Sequence, residues 1–101
     1  MLSDEQVRSL TPAQKVIYDR QAALETLQER LAYSGGVILT REIFGTYPTD
    51  QKWAIINDEK APKKYAQNKD PDLRKLEEEG IRDGLARLRE GAETPPSGYK
   101  Q

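Results

Sequence analysis

Cysteine and histidine are absent from this 101-residue chain, and Phe and Trp occur once each. The first two absences exclude disulfide bridges, zinc sites built from the usual Cys and His ligands, and catalytic dyads that need His or Cys. Long apolar runs are missing as well, since none approaches the roughly 20 residues of a membrane-spanning helix. We therefore expect a soluble protein with no metal, no cofactor and no membrane partner.

The first ten residues, MLSDEQVRSL, are acidic and polar. A cleaved signal peptide begins instead with basic residues followed by an apolar stretch. The sequence thus predicts a protein that is not secreted by a cleaved signal, located in the cytoplasm or in a virion.

The charge is nearly balanced, with 16 basic and 17 acidic side chains and a net charge of -1. This balance argues against a general polyanion binder. Leu, Ile, Val and Phe together make 20 of the 101 residues, which is near the lower limit for a chain that folds alone. We therefore expect a thin core and a partner, either another protein or a further copy of the chain, that supplies additional buried area.

Two helix starts lie close together near the N-terminus. Ser3 with Gln6 forms one capping-box pattern and predicts a short helix over about 4–10. Thr11 with Gln14 forms another, with Pro12 at the first helical position, and predicts a long helix over about 12–33 that ends at the residues 34–36. The apolar residues of this helix fall on one stripe that should face the core: Val16, Ile17, Ala23, Leu24, Leu27 and Leu31.

A second long helix is predicted over about 71–90, with Asp70 as N-cap, Pro71 in the first turn and Gly91 at the end. The two long helices have similar lengths, which suggests an antiparallel pair. The expected fold is all-α: a single helical domain over residues 1–91, built on this pair with short helices between, and an extended tail over 92–101.

Gly80 and Gly84 lie four residues apart within the second long helix, where each costs about 1 kcal/mol relative to Ala. One interpretation is helix packing, in which another backbone approaches closely, such as a second copy or a partner helix. The other is a tolerated weak point or a break into two shorter helices.

The segment between the long helices carries the aromatic residues Phe44, Tyr47 and Trp53. A helix over about 37–44 is favoured there, with a strand at 37–39 as the alternative, and Thr49 should cap a helix over about 50–57. The three aromatic rings are candidates for a wedge that completes the core, and also for a surface that binds a partner.

Two further segments are candidate binding sites. Lys60, Lys63, Lys64 and Lys69, with Tyr65 among them, could contact nucleic-acid phosphates and stack on a base, although a solvated connector is the simpler interpretation. The C-terminal residues Pro95, Pro96 and Tyr99 are typical of a docking peptide.

No catalytic motif is present. Glu77, Glu78 and Glu79 are consecutive on a helix, where side chains point about 100° apart and do not converge on one bond or ion. We therefore predict that the chain is not an enzyme. The favoured function is a structural or assembly subunit of a larger complex, most concretely a small phage virion accessory protein of the neck, tail or capsid. The alternative is a small regulator that inhibits a host enzyme or binds nucleic acid through the residues 60–69.

Overall fold

The computed structural model describes residues 2–92, and the regular structure in that range is entirely helical. The elements are α1 (Asp4–Arg8), α2 (Pro12–Ala23), α3 (Leu27–Ile38), a π-helical turn (Leu39–Ile43), a 3-10 turn (Phe44–Thr46), α4 (Thr49–Ile56), α5 (Ala61–Tyr65) and α6 (Pro71–Gly91). The predicted all-α class is confirmed. The predicted tail lies almost wholly outside the described residues.

Capping residues set the first helices as their sequence predicts. The Ser3 hydroxyl accepts from the Gln6 backbone N–H at 3.2 Å, and the Gln6 side chain accepts from the Ser3 N–H at 2.9 Å. Thr11 and Gln14 form the same reciprocal pair at 3.2 and 3.0 Å. These bonds satisfy N–H groups that have no partner within the helix.

The start of α6 also follows its sequence, because the Asp70 carboxylate accepts from the N–H groups of Asp72 and Leu73 at 2.9 and 3.3 Å. The prediction that Thr49 is the N-cap of a helix is wrong. It belongs to the first turn of α4, which Pro48 precedes without any side-chain cap.

The single helix predicted over 12–33 is wrong. Leu24 is extended, and Thr26 starts a new helix, accepting from the Glu29 N–H at 3.1 Å while the Glu29 side chain accepts from the Thr26 N–H at 3.2 Å. This third capping box turns the chain between α2 and α3. The predicted apolar stripe is therefore split: Leu24 is buried, whereas Leu27 is 71% exposed.

The predicted stop at the residues 34–36 is wrong. The residues 37–44 are helical, as favoured over a strand, but they continue α3 and do not form a separate helix. α3 runs through Gly35 and Gly36 to Ile38 and passes directly into the π-helical turn. A π turn holds more residues per turn than an α-helix, so it rotates the residues that follow it relative to α3. As a result Thr40 and Phe44 both point into the protein.

α6 packs against both α2 and α3, and it runs in opposite senses relative to them. Along α2, the Ala13 N–H donates to Glu90 at 3.0 Å and Arg20 pairs with Glu79, so the numbering of the two helices runs in opposite directions. Along α3, Gly36 lies against Gly80, and further along Thr40 lies against Gly84. The expected antiparallel pair of long helices is thus replaced by a hairpin of α2 and α3 with α6 laid along it.

The core has two parts. The larger contains Phe44, Trp53, Ile56, Ala61, Ile81 and Leu85, and joins α4, α5 and α6 to the π-helical and 3-10 turns. The smaller contains Ile17, Leu24 and Tyr33, between α2 and α3. α6 therefore provides the surface on which most of the other elements are assembled.

Candidate protein-binding surface

The inner face of α3 is fitted to α6 by close backbone contact. A Cβ atom at Gly36 would lie 2.7 Å from the backbone nitrogen of Ile81 and would also collide with the Glu77 carbonyl oxygen. A Cβ atom at Gly80 would collide with the Tyr33 carbonyl and lie 3.3 Å from the Gly36 Cα. Only glycine at both positions permits this separation of the two helices.

Gly84 lies one turn further along α6, where a Cβ atom would collide with the Thr40 side chain. Gly80 thus lies against α3 and Gly84 against the π-helical turn of the same chain. The predicted close approach of another backbone is found at Gly80, and the approaching helix is α3 and not a second copy. The interpretation as a helix break is wrong, since α6 continues without interruption to Gly91.

A buried polar pair fixes the register of α3 on α6. The Tyr33 hydroxyl donates to the Asp83 carboxylate at 2.8 Å, and Tyr33 is completely buried. Burial, together with this hydrogen bond and the nearby negative charge, raises the pKa of Tyr33 well above its usual value. Since a one-turn shift would leave the Asp83 carboxylate buried without this donor, the pair selects one alignment of the helices.

α2 is joined to α6 by the ion pair of Arg20 with Glu79, whose second hydrogen bond, from Nη2 to Oε1, measures 3.2 Å. The hydrogen bond to Glu79 raises the pKa of Arg20. Arg20 thus lies along the seam between α2 and α6.

The outer face of α3 carries a row of large aliphatic side chains that water reaches. We call this row the outer stripe, and it contains Leu27 (71% exposed), Leu31 (63%), Ile38 (51%) and Ile43 (46%). The first three share one face of a helix because they are spaced by four and seven residues. Ile43 follows Ile38 by five residues, and the π-helical turn between them brings it to the same side.

The centre of the outer stripe is small and uncharged. Ser34 and Gly35 lie between Leu31 and Ile38, and nothing is within 4 Å of where a Gly35 Cβ atom would be. Gly35 is therefore a helical glycine that no contact within residues 2–92 explains, in contrast to its neighbour Gly36. Charged groups lie at the edge of the stripe, where Arg41 and Glu42 pair at 2.9 Å.

An open groove of about 360 Å³ continues from the outer stripe toward α1 and α2. Ile38 belongs to both surfaces. The apolar part of the groove wall consists of Leu2, Leu10, Ile17, Tyr18, Val37 and Ile38. The rest of the wall is polar and includes Arg41 and Arg87, so the apolar outer stripe continues into a groove of mixed character.

The aromatic candidates for partner binding lie elsewhere. Phe44 and Trp53 are 2% and 5% exposed and belong to the larger core, and Tyr47 is half-buried with its ring 5.7 Å from that of Phe44. These positions match the core-wedge interpretation, since Phe44 and Trp53 offer almost no surface to a partner. Tyr47 keeps part of its ring exposed, and partner binding through it stays a prediction.

The lysine segment carries its tyrosine packed inward and its lysines exposed. Tyr65 is partly buried and packs edge-on against Phe44 at 4.9 Å, which leaves less of its ring for stacking on a base. Lys60, Lys63, Lys64 and Lys69 are all exposed. Lys60 and Lys63 share their side of the molecule with the basic Lys75 and Arg82 and with the acidic Glu59, Glu78 and Glu79, so charges of both signs are mixed there.

The remaining tail candidates, Pro95, Pro96 and Tyr99, lie outside the described residues. The outer stripe was missed because Leu27 and Leu31 were assigned to the core. The signal that reveals it is Thr26 followed three residues later by Glu29, a capping-box pattern that places a helix start inside the supposed continuous helix.

The acidic side chains of α6 have separate roles. Glu77 accepts from the N–H groups of Gln67 and Asn68, both at 2.8 Å, while Glu79 pairs with Arg20. Within residues 2–92 no group of acidic side chains is placed to hold a metal ion, and no helix there has the length and hydrophobicity needed to cross a bilayer.

Comparison with known protein families, curated proteins and solved structures finds no match to this chain. The case for a function therefore comes from the surface of the molecule.

Proposed function

We propose that this chain is a non-catalytic, protein-binding subunit of a larger assembly, and that the outer stripe of α3 is its binding surface. The observation that carries the proposal is the row of four large aliphatic side chains, each about half exposed or more, on one face of one helix. Single exposed apolar residues are ordinary on protein surfaces, but a contiguous row of them marks an interaction site.

The composition of the chain gives this row more weight. Leu, Ile, Val and Phe make only 20 of 101 residues, and four of these 20 side chains lie together on one exposed face. A chain with a thin core stabilises itself by burying such residues where it can. Their exposure is explained if a partner covers them.

The expected affinity is moderate. Burying the exposed part of each stripe side chain contributes about 1 to 2 kcal/mol, or about 4 to 8 kcal/mol for the four together. Association costs about 4 to 15 kcal/mol in lost freedom of motion. The stripe alone is therefore at the limit of specific binding, and the partner has to bring a matching apolar face and contact the adjoining groove as well.

The more specific hypothesis, a small phage virion accessory protein, belongs to this same class and stays a prediction. Many copies of the chain in purified virus particles would support it. The alternative of a regulator that binds nucleic acid through the residues 60–69 also stays a prediction, and the packing of the partly buried Tyr65 against Phe44 speaks against it.

Photo-crosslinking tests the proposal. A photoreactive amino acid is placed at Leu31 in the full-length chain, produced in its natural host, and a control carries the same group at Arg74, an exposed residue of α6. We expect discrete crosslinked products from position 31 that are missing from the control. Identical product patterns at both positions would contradict a binding function of the stripe.

A further inference from the structure

We infer that the partner on the outer stripe is a second copy of this chain, so that two α3 helices pack together across a two-fold axis beside Ser34 and Gly35. This inference rests on the proposed binding function of the stripe and names its occupant. It follows from the area of the surface, from its lack of charge and from the position of its small residues.

The first argument is area. The four stripe side chains expose on the order of 400 Å² of apolar surface, as large as the biggest patch on a typical monomer. A stable interface removes about 800 Å² from each partner. The adjoining groove supplies further surface of mixed character, apolar at Leu2, which is still 37% exposed, and polar at Arg41 and Arg87. Protein interfaces contain polar as well as apolar surface, so the stripe and the groove of each copy together approach the area that a dimer needs.

The second argument is charge. Between Leu31 and Ile38 the exposed residue is Gly35, and the half-buried Ser34 beside it accepts from the Gln21 side chain of α2 at 3.1 Å, so the middle of the stripe carries no charge. A partner rich in acidic or basic side chains would lose hydration there and gain no counter-charge. The copy presents an equally uncharged face, and a two-fold interface brings the same patch from both subunits together.

The third argument is the shape of the stripe. Its small residues lie near its middle, with Leu27 and Leu31 on one side and Ile38 and Ile43 on the other. Two such helices can approach closely at the middle while the large side chains pack above and below it. This arrangement gives Gly35, which no atom of residues 2–92 within 4 Å explains, a role like that of Gly36 on the opposite face.

Self-association is measured by analytical ultracentrifugation of the full-length chain over a range of concentrations. We expect a monomer–dimer equilibrium that Leu31→Gln and Ile38→Gln each weaken at least tenfold. Val16→Gln is the matched control, because Val16 is 52% exposed, nearly the same as Ile38, but belongs to α2. The control variant should dimerise like the wild type.

A second readout places the contact. The chain has no cysteine, so Gly35→Cys introduces a single thiol beside the expected axis, in open space. Under mild oxidation this variant should form a covalent dimer much faster than Val16→Cys.

The outcomes separate the inference from the proposed function. A wild-type chain that stays monomeric at every concentration, with equal oxidation rates for the two thiol variants, overturns the second copy as partner. So does a dimer that survives both glutamine substitutions, because it then forms elsewhere. In either case specific crosslinks from Leu31 to another protein would still support the proposed function. If those crosslinks were absent as well, the proposed function would also be contradicted.

Discussion

Gly35 and Gly36 are neighbours in the sequence and identical in chemistry, yet they lie on opposite faces of α3. Gly36 is buried against the backbone of α6, at a distance that no side chain permits, whereas Gly35 looks out into open space in the middle of an apolar stripe. The inner face of α3 is therefore fitted to α6, while the outer face is left uncovered by the rest of residues 2–92. The same helix serves the fold on one side and, in our proposal, a partner on the other.

The largest effect is expected when the close contact on the inner face is blocked. Gly80→Ala puts a methyl group onto the Tyr33 carbonyl, and because that neighbour is backbone the two helices must separate. We expect a loss of about 3 kcal/mol, or about 10 to 20 °C in melting temperature, measured by calorimetry. In Gly84→Ala the new methyl group meets only the side chain of Thr40, so this variant should lose less stability. Equal losses in the two variants would contradict this account of the crossing.

A smaller loss is expected from the polar pair beneath the inner face. Tyr33→Phe removes the hydroxyl that donates to Asp83 at 2.8 Å and leaves a buried carboxylate without that donor. The free energy of unfolding should fall by about 1 to 3 kcal/mol in chemical denaturation. Tyr47→Phe changes a half-buried ring of the larger core and is the control. Its free energy of unfolding should fall less than that of Tyr33→Phe. A Tyr33→Phe variant as stable as the wild type would show that the pair does not fix the register.

The raised pKa of Tyr33 makes stability depend on pH at the alkaline end. In the unfolded chain Tyr33 ionises near the usual tyrosine pKa of 10.0, whereas in the folded chain its pKa is raised and it keeps its proton to higher pH. Its contribution is therefore fully present below pH 10 and is lost progressively as the pH rises above that value. Denaturation curves measured across this range should show a steeper decline for the wild type than for Tyr33→Phe. Parallel declines would mean that Tyr33 is not protected from ionisation.

The smallest effect on the fold is expected on the outer face. Leu31→Gln changes a side chain that is 63% exposed, so the monomer should keep its stability within about 0.5 kcal/mol. Ile81→Ala, at a completely buried position of α6, should cost about 2 to 5 kcal/mol by comparison. Measurement in dilute solution keeps self-association out of the result. A large loss of stability in Leu31→Gln would contradict this account. It would show that Leu31 belongs to the core, as the spacing of apolar residues in the sequence predicts.

Much of the fold can be predicted because several helix starts are local events. Ser3 with Gln6, Thr11 with Gln14, and Asp70 before Pro71 each set a helix start through bonds made within a few residues. Thr26 with Glu29 has the same signature, but the apolar spacing that runs across it suggested one continuous helix.

The site could not be predicted because it depends on tertiary contact. A pair of glycines after a helical stretch usually ends the helix, and only the approach of α6 explains why α3 continues through them. The π-helical turn likewise has no local sequence mark, yet it decides that Phe44 lies inside and Ile43 outside. The outer stripe cannot be predicted from the spacing of apolar residues unless the break at Leu24 and the π-helical turn are known.

The most direct test compares Gly35→Ala with Gly36→Ala by chemical denaturation at a concentration too low for self-association. The account predicts that Gly35→Ala leaves stability unchanged or raises it by up to about 1 kcal/mol, since alanine favours a helix and the space is open. Gly36→Ala should lose about 3 kcal/mol, because its methyl group meets the backbone of α6. Equal losses in both variants, or a greater loss in Gly35→Ala, would contradict the two-faced α3 on which the proposals rest.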